Sequence, residues 1–404
     1  MGTGVAVIGS GLQGCGVALE LALRGQTVDL YERAPRLLQD ASRHSEGKLH
    51  LGYVYAADDT MQTARLMASG AAAFLPTVER WLGPNAKGLV FSARFNYGVH
   101  RRSMLPVDEL ASRYESISRI VRTAFRDHPS RAASEAAQLR RLEAGDRLQY
   151  SDLIEDAYET GEIAVDTDTL SDAVERAVLG RPQIRAYCST SVNRVDMQER
   201  RLALTDENSS ARISDVYDHI VNCSWGSLPG IDATAGVFSR RPWSHRIKYF
   251  VRRPATDTVA TLPSTTFVLG QFGDVVDFGR NGAYLSWYPA GRTTFTTGLQ
   301  SPAGLSEPDE QQARSIRYGV LCGLSTVMPA VSALPRQAVL RSAVRGGEIL
   351  AHGQSDLDDE STELHQRHTI GPSSSAGYHS VNTGKLTMAP YFAMQVAERI
   401  RPTT

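Results

Sequence analysis

The chain has 404 residues, of which 42% are hydrophobic, so it can bury a large core and form two structural lobes. Its formal net charge of −1 provides no overall field that would attract nucleic acid or an anionic membrane. Four cysteines without a CxxC pair are too few for a disulfide scaffold, indicate no metal site, and predict a cytoplasmic location. No membrane span is expected, because the longest uncharged stretch, residues 318–334, is interrupted by glycines and a proline. No secretion signal is expected either, because the apolar run 5–8 follows Met1 so closely.

The predicted elements begin with a strand, a glycine turn, a helix and a second strand within residues 4–32. The apolar run 5–8 predicts the first strand, apolar residues recurring through 17–22 predict the helix, and residues 27–31 predict the second strand. The later predictions, in chain order, are a helical region 60–82, a strand 89–100, a helical region 106–143 with a break near Pro129, a helix 170–179 capped by 166–169, a strand 184–195, a strand 219–222, an antiparallel block 237–299, a buried helix that ends before Pro329, and a helix 388–400. This order predicts an α/β fold in which a dinucleotide-binding domain carries insertions that build a second lobe.

A glycine motif lies between the first strand and the first helix. Gly9 permits a tight turn, Gly11 lets the backbone approach a pyrophosphate, and Gly14 lets helix and strand pack closely. The helix amino terminus offers N–H groups and partial positive charge to phosphates. Glu32 ends the second strand, where a carboxylate can accept hydrogen bonds from ribose hydroxyls. Together these features predict a dinucleotide site.

The stretch from Ser42 to Tyr55 bears on whether the dinucleotide is FAD or NAD. Its segment Gly47-Lys-Leu-His-Leu-Gly52 resembles the D-amino-acid oxidase superfamily of flavoenzymes, which includes glycine and sarcosine oxidases and L-2-hydroxyglutarate dehydrogenase. The resemblance implies that this segment passes near the isoalloxazine of FAD, and His50 is similar to a histidine of the hydroxyglutarate dehydrogenase. A solvated loop with an ordinary histidine is the alternative. His44 resembles the attachment histidine of dimethylglycine dehydrogenase, so covalent and non-covalent FAD both stay open.

Further stretches extend the resemblance over nearly the whole chain. Ser191-Val192 is similar to the place where the family's backbone meets adenine, and residues 218–226 resemble the family strand that ends beside the cofactor. Residues 379–387 resemble the motif that brings backbone N–H groups to the flavin pyrimidine, although the family more often has a glycine-rich or Gly-His pair there. Residues 47–52 and 382–387 are therefore expected to lie close together. The residues expected to contact FAD are Gly9, Gly11, Leu12, Gln13, Gly14, Glu32, Arg33, Ser42, Arg43, Gly47, Lys48, Leu49, Val192, Cys223, Gly226, Asn382, Gly384, Lys385, Leu386 and Thr387.

The substrate site is expected in the antiparallel block. Arg246 and Lys248 alternate on one strand face, so they could meet one anion together. In related oxidases an arginine and one or two tyrosines hold the substrate carboxylate, because a guanidinium matches it with two parallel hydrogen bonds. A solvated sheet face is the alternative. The candidates for substrate binding and catalysis are His50, Lys48, Arg246, Lys248, Tyr288 and Arg345, with Tyr284, Arg292 and Arg341 nearby in sequence.

The resemblance and the predicted elements together suggest a division of the chain and a reaction. The discontinuous ranges 1–85, 146–235 and 336–404 are expected to form a Rossmann-like FAD-binding domain, and 86–145 and 236–335 an inserted antiparallel-sheet substrate domain. The expected reaction is FAD-dependent oxidation of a C–N bond in an amine or amino acid, with hydride transfer to flavin N5 and reoxidation by dioxygen or another acceptor. An FAD-dependent 2-hydroxy-acid or alcohol dehydrogenase, a tailoring oxidase acting on a carrier-bound substrate, and an NAD-dependent dehydrogenase are the alternatives. The oligomeric state stays open.

Overall fold

A computed structural model describes residues 4–126, 133–254, 262–302, 307–335, 339–357, 359 and 362–400. The α-helices are α1 (Leu12–Leu23), α2 (Gln62–Leu82), α3 (Val107–Ala124), α4 (Ala133–Ala136), α5 (Ala144–Arg147), α6 (Thr167–Leu179), α7 (Leu228–Thr234), α8 (Tyr288–Gly291), α9 (Glu310–Val327) and α10 (Ala389–Arg399). The strands are β1 (Val5–Ile8), β2 (Val28–Tyr31), β3 (Asn96–His100), β4 (Leu139–Arg141), β5 (Ile154–Thr160), β6 (Ile184–Tyr187), β7 (Ser191–Asp196), β8 (Arg201–Thr205), β9 (Ala211–Ile213), β10 (His219–Asn222), β11 (Trp243–Arg253), β12 (Thr265–Val268), β13 (Gly273–Asp277), β14 (Ala283–Trp287), β15 (Arg292–Thr297), β16 (Ala343–His352), β17 (Gly371–Ser375) and β18 (Tyr378–Asn382).

A six-stranded sheet forms the centre of the dinucleotide fold. Its order is β17-β18-β10-β1-β2-β6, and every pair is parallel except β17–β18. Each residue of β1 is buried because helices and a smaller sheet cover the two faces, as a continuous apolar strand requires. The carboxyl ends of β1, β2 and β10 therefore meet at one edge, which is where ligands bind in such sheets.

A nine-stranded sheet forms the second large layer. Its order is β15-β11-β14-β13-β12-β3-β5-β4, with β16 also paired to β11, and among these pairs only β3–β12 is parallel. Helix α9 packs its apolar stripe on this sheet. A small sheet of β7, β8 and β9 stands apart. The predicted α/β class, with a parallel Rossmann-like core and a separate antiparallel sheet, is confirmed.

Several local predictions match the observed elements closely. Helix α6 begins after Asp166, whose carboxylate accepts from the backbone N–H groups of Asp168 and Thr169 and so caps the helix. The predicted helices 60–82 and 388–400 appear as α2 and α10. Pro76 lies inside α2 without ending it. None of the described helices is both long and apolar enough to cross a membrane.

Other local predictions were wrong. The predicted strand 184–195 is two strands in different sheets, separated by a turn in which Ser189 adopts φ +50°. The helical region 106–143 contains α3 but ends in β4, and the strand predicted over 89–100 is regular only in β3. Pro129 lies outside the described residues. Apolar alternation indicates a strand but does not show where the chain turns between sheets.

The predicted domain ranges differ from the sheet membership at two strands. β5 and β16 fall in ranges assigned to the FAD-binding domain, but β5 pairs with β3 and β16 pairs with β11 in the nine-stranded sheet. Strand partners depend on long-range packing, which the apolar pattern of one segment does not specify. The division of the chain into two domains stays a prediction.

Candidate cofactor and substrate site

A cavity of about 520 Å³ begins at the carboxyl ends of β1 and β2 and ends against the nine-stranded sheet. Gly9 and Glu32 line it at the first end, and Arg246 and Tyr288 line it at the other. The cavity therefore joins the predicted dinucleotide loop to the predicted substrate face.

The glycine turn is shaped so that only glycine fits at two of its positions. Gly9 has φ +89°, and an added Cβ there would lie 2.8 Å from the carbonyl oxygen of Cys223. A Cβ on Gly14 would lie 1.8 Å from the carbonyl oxygen of Gly9. The backbone N–H of Leu12 donates to Ser42 Oγ at 2.8 Å, which draws the loop after β2 over the amino end of α1. The backbone N–H groups of α1 thus face the cavity in the manner that favours a bound phosphate.

Glu32 is held by the chain itself at the end of β2. Its Oε2 accepts from the backbone N–H and the hydroxyl of Ser10 at 2.8 and 2.7 Å, and its Oε1 accepts from Ala34 N–H at 2.8 Å. Carboxylate oxygens have lone pairs beyond these bonds, so Glu32 can also accept from a ribose hydroxyl. That role stays a prediction.

The two stretches expected to lie close together do meet. The backbone N–H of His50 donates to Thr387 Oγ1 at 2.9 Å, and the same hydroxyl donates to the carbonyl of Lys48 at 3.0 Å. Gly47 has φ +70° and packs so tightly on Val165 that a Cβ would lie 1.9 Å from its carbonyl oxygen. These contacts hold residues 47–50 against the turn that precedes α10.

His50 is neutral and lines the cavity. Burial lowers its pKa to about 3, and the nearby charge of Lys385 acts in the same direction. Within the described residues neither ring nitrogen makes a well-directed hydrogen bond, although Nε2 lies 3.4 Å from Glu46 Oε1 and Nδ1 lies 3.7 Å from Glu162 Oε1. Because buried polar atoms are normally satisfied, the imidazole is available to a ligand in the cavity.

Lysines and carboxylates alternate around His50. Asp274 lies between Lys48, at 2.9 Å, and Lys248, at 3.6 Å. Burial alone would raise the pKa of Asp274, but the two lysines lower it to about 2. Burial lowers the pKa of Lys385 to about 8, although the carboxylate of Glu46 at 3.9 Å acts in the opposite direction. The cavity thus places one ammonium group with a pKa close to neutral pH beside buried ion pairs.

Arg246 and Tyr288 have their partners within the chain. Arg246 is fully buried, and its Nε donates to Asp356 Oδ1 at 3.0 Å while Nη2 donates to the carbonyl of Ser355 at 2.6 Å. Tyr288 Oη donates to the same Asp356 oxygen at 2.7 Å. Both side chains line the cavity, but Arg246 Nε and Tyr288 Oη already donate to Asp356.

Arg367 is a cavity-lining arginine that no sequence motif indicated. It is 5% exposed, and its Nη1 donates to the carbonyls of Leu350 and Gly384, each at 3.3 Å. It makes no ion pair with any carboxylate of the described residues. A buried guanidinium with only carbonyl partners can bind a carboxylate from a ligand. Its neighbourhood in sequence has no apolar period or glycine signal that would have indicated this.

The predicted residues divide into those that line the cavity and those that do not. The lining contains Gly9, Gly11, Leu12, Gln13, Glu32, Arg33, Ser42, Gly47, Lys48, His50, Val192, Cys223, Gly226, Arg246, Lys248, Tyr288, Gly384, Lys385 and Leu386. Outside it lie Gly14, Arg43, Leu49, Arg345, Asn382 and Thr387. Arg345 pairs instead with Asp168 at 3.0 Å, and Arg43 pairs with Asp172 at 2.7 Å. Lining residues that the sequence reasoning did not select include Ser10, Glu46, Thr266, Asp274, Glu348 and Arg367.

The lining fits FAD. The glycine turn and the amino end of α1 suit a diphosphate, and the long cavity leads from there to polar groups that lack partners among the described residues, including Gln13 Nε2 and the His50 ring. His44, the candidate for covalent attachment, lines the cavity and donates from Nδ1 to the carbonyl of Gly346 at 2.9 Å. Within the described ranges no three His, Cys, Asp or Glu side chains cluster as a metal would require.

Comparison with known proteins gives one family and a consistent set of folds. The family model described as FAD dependent oxidoreductase matches residues 4–399. Glycine oxidase from Geobacillus kaustophilus is similar with a TM-score of 0.64 at 16% identity, covering 98% of this chain and 95% of that one. Iminodiacetate oxidase from Chelativorans sp. BNC1 is similar with a TM-score of 0.62 at 18% identity, covering 97% and 94%. A tRNA 5-methylaminomethyl-2-thiouridine biosynthesis bifunctional protein from Burkholderia pseudomallei is 41% identical over 93 residues, which are 23% of this chain and 13% of that protein.

Proposed function

We propose a substrate class and a reaction for this chain, which belongs to the FAD dependent oxidoreductase family of the D-amino-acid oxidase superfamily. The chain is an FAD-dependent oxidoreductase, and we propose that it oxidises the C–N bond of a small amine or amino acid that carries a carboxylate. When bound, FAD accepts a hydride at N5 and passes the electrons to an acceptor, for which we propose dioxygen. The names of the glycine and iminodiacetate oxidases are consistent with this reaction.

The observation that carries the proposal is Arg367. Its buried guanidinium lines the cavity and makes no ion pair with a carboxylate of the described residues. A substrate carboxylate would replace the missing partner with charge-assisted hydrogen bonds, which are about twice as strong as neutral ones. Arg367 would thereby bind the substrate at one end and fix its orientation in the cavity.

His50 and Lys385 also line the cavity and provide polar groups for the reacting end of the proposed substrate. The neutral imidazole of His50 can accept a hydrogen bond from a substrate amine or hydroxyl, since burial lowers its pKa to about 3. Lys385 has a pKa of about 8, so a fraction of it is uncharged near neutral pH and can accept a proton from a substrate ammonium. The amine must lose this proton before its C–H bond can be broken as a hydride.

The acceptor proposal depends on buried ammonium groups. Lys48 and Lys248 line the cavity and share the carboxylate of Asp274. Either ammonium group can stabilise the negative charge that forms when dioxygen takes up electrons. Lys48→Met and Lys248→Met variants that reoxidise as fast as the parent would contradict this part.

A 2-hydroxy acid is the second candidate substrate. Arg367 recognises a carboxylate in either class, and the unpartnered His50 ring can accept a hydrogen bond from a hydroxyl as well as from an amine. The two classes differ in product, because the amine gives an imine and the alcohol gives a ketone.

The test is an anaerobic titration of the purified, FAD-loaded protein. Loss of the oxidised flavin absorbance is followed with matched pairs of 2-amino and 2-hydroxy acids and with the corresponding amines that lack the carboxylate. We expect amino acids to bleach the flavin at lower concentrations than the decarboxylated amines, and admission of air to restore the colour and release peroxide. Equal response to amines with and without a carboxylate would refute the role of Arg367, and bleaching only by hydroxy acids would select the second candidate.

A further inference from the structure

A carboxylate-binding cluster that the chain itself has filled adjoins one wall of the cavity: Arg246 and Tyr288 line the cavity, whereas their partner Asp356 does not. Arg246 Nε and Tyr288 Oη donate to Asp356 Oδ1 at 3.0 and 2.7 Å, and Arg292 Nε lies 2.9 Å from Asp356 Oδ2. The backbone N–H of Leu357 donates to Oδ1 as well, at 2.9 Å. Two guanidinium groups and a phenol that converge on one carboxylate are what a protein uses to bind a free acid. We call Arg246, Tyr288 and Arg292 the second clamp.

The second clamp and Arg367 belong to the same cavity. Arg246 and Tyr288 line it together with Arg367. Arg246 on β11 is paired with Ile349 on β16, and Arg367 Nη1 donates to the carbonyl of the next residue, Leu350, so both arginines are held at adjoining positions of this strand pair. A ligand held at Arg367 therefore extends within reach of Arg246.

Asp356 changes what the cavity can bind. All three nitrogens of Arg246 already donate to the chain, because Nε donates to Asp356, Nη1 to Ser244 Oγ at 3.1 Å and Nη2 to the Ser355 carbonyl at 2.6 Å. The arginines of the described cavity lining are Arg33, Arg246 and Arg367. Arg33 pairs with Asp40 and Arg246 with Asp356, so only Arg367 is left without a carboxylate partner in that set.

We propose that Asp356 is a specificity-determining residue that occupies the second clamp and restricts the enzyme to substrates with one carboxylate. The inference rests on the proposed function, because the first carboxylate is the one held by Arg367. A second carboxylate on the substrate would meet a guanidinium, that of Arg246, whose charge Asp356 already offsets. Removal of Asp356 would open the second clamp to dicarboxylates.

The experiment compares propionate with succinate, which differ by one terminal carboxylate, as ligands of the FAD-loaded protein. Dissociation constants are measured by calorimetry and by the change in the visible flavin spectrum. The parent should bind propionate more tightly. In Asp356→Ala the ratio of the two constants should move toward succinate by at least about tenfold, the scale of one charge-assisted contact. In the double variant Asp356→Ala/Arg246→Met, the ratio of the two dissociation constants should return to that of the parent.

Asp277→Ala is the matched control, because Asp277 also pairs with an arginine, Arg253 at 3.3 Å, but Arg253 does not line the cavity whereas Arg246 does. Its propionate-to-succinate ratio should equal that of the parent. If Asp356→Ala does not fold, the propionate and succinate dissociation constants are compared in Asp356→Asn, which keeps the side-chain shape. An unchanged ratio in the Asp356 variant that folds, or a parent that already prefers succinate, would overturn the specificity role.

Failure of the proposed function gives a different result. A parent that binds neither acid would refute the carboxylate site at Arg367. In that case, succinate binding by Asp356→Ala would still support the proposal that Asp356 occupies the second clamp. The absence of succinate binding by Asp356→Ala would overturn that proposal as well.

Discussion

Replacement of Arg367 by methionine separates a ligand-binding arginine from a structural one. The guanidinium is buried, and its hydrogen bonds in the described part of the chain go to two backbone carbonyls. Burial lowers the pKa of Arg367, so the folded apo-protein disfavours this charge. Methionine has similar length without the charge, so Arg367→Met should leave the melting temperature of the apo-protein unchanged or higher.

The same change should weaken carboxylate binding strongly. A hydrogen bond to a charged group contributes about 1.5 to 3 kcal/mol, so the loss of two such bonds costs at least about 3 kcal/mol, or roughly 150-fold in the dissociation constant. The assay is a titration of the FAD-loaded variant with propionate, followed by calorimetry. Binding of an amine without a carboxylate should change little.

Arg253→Met is the matched control, since Arg253 is equally buried but pairs with Asp277 away from the cavity. Its loss leaves a buried carboxylate unpaired, which typically costs about 3 to 5 kcal/mol, so the melting temperature should fall while propionate binding is retained. The reasoning about Arg367 is refuted if Arg367→Met binds propionate within about threefold of the parent, a difference of under about 1 kcal/mol. It is also refuted if Arg367→Met melts as early as Arg253→Met.

Three further predictions test the cofactor loop and two titrating groups. Gly14→Ala should yield protein without FAD, because the new Cβ would lie 1.8 Å from the carbonyl oxygen of Gly9. The control is Gly88→Ala, where a Cβ meets nothing within 4 Å. The control should keep the visible absorbance of bound flavin. His50 has a pKa of about 3 in the folded protein against an ordinary 6.5, so the parent should lose stability as pH falls through that window. His50→Gln should flatten this loss in melting curves of the apo-protein, and an identical slope would count against a buried neutral imidazole. Lys385 has a pKa of about 8 against an ordinary 10.5, so parent stability should rise with pH between those values. Lys385→Met should be the more stable protein below pH 8, and equal melting temperatures there would contradict the lowered pKa.

The dinucleotide loop could be predicted from the sequence because its backbone conformation and close packing require particular residues. Only glycine fits at Gly9, where φ is positive, and at Gly14, where there is no space for a Cβ. The spacing of these two glycines therefore predicts the turn. The short apolar runs at β1 and β2 likewise predict strands that are buried on both faces. The strand–helix–strand order and the cofactor end of the site follow from such short-range constraints.

The substrate end depended on the tertiary structure. Arg345, selected from its sequence context, pairs with Asp168, and Arg246 is neutralised by Asp356 from a segment 110 residues further along the chain. Arg367 meets the cavity because the chain after β16 packs beside the turn that precedes α10. A residue's type and period indicate that it is buried or charged, whereas its partner is decided by the packing of segments distant in sequence. For that reason the sequence alone indicated the cofactor class, and only the tertiary structure decided which cavity arginines have a carboxylate partner among the described residues.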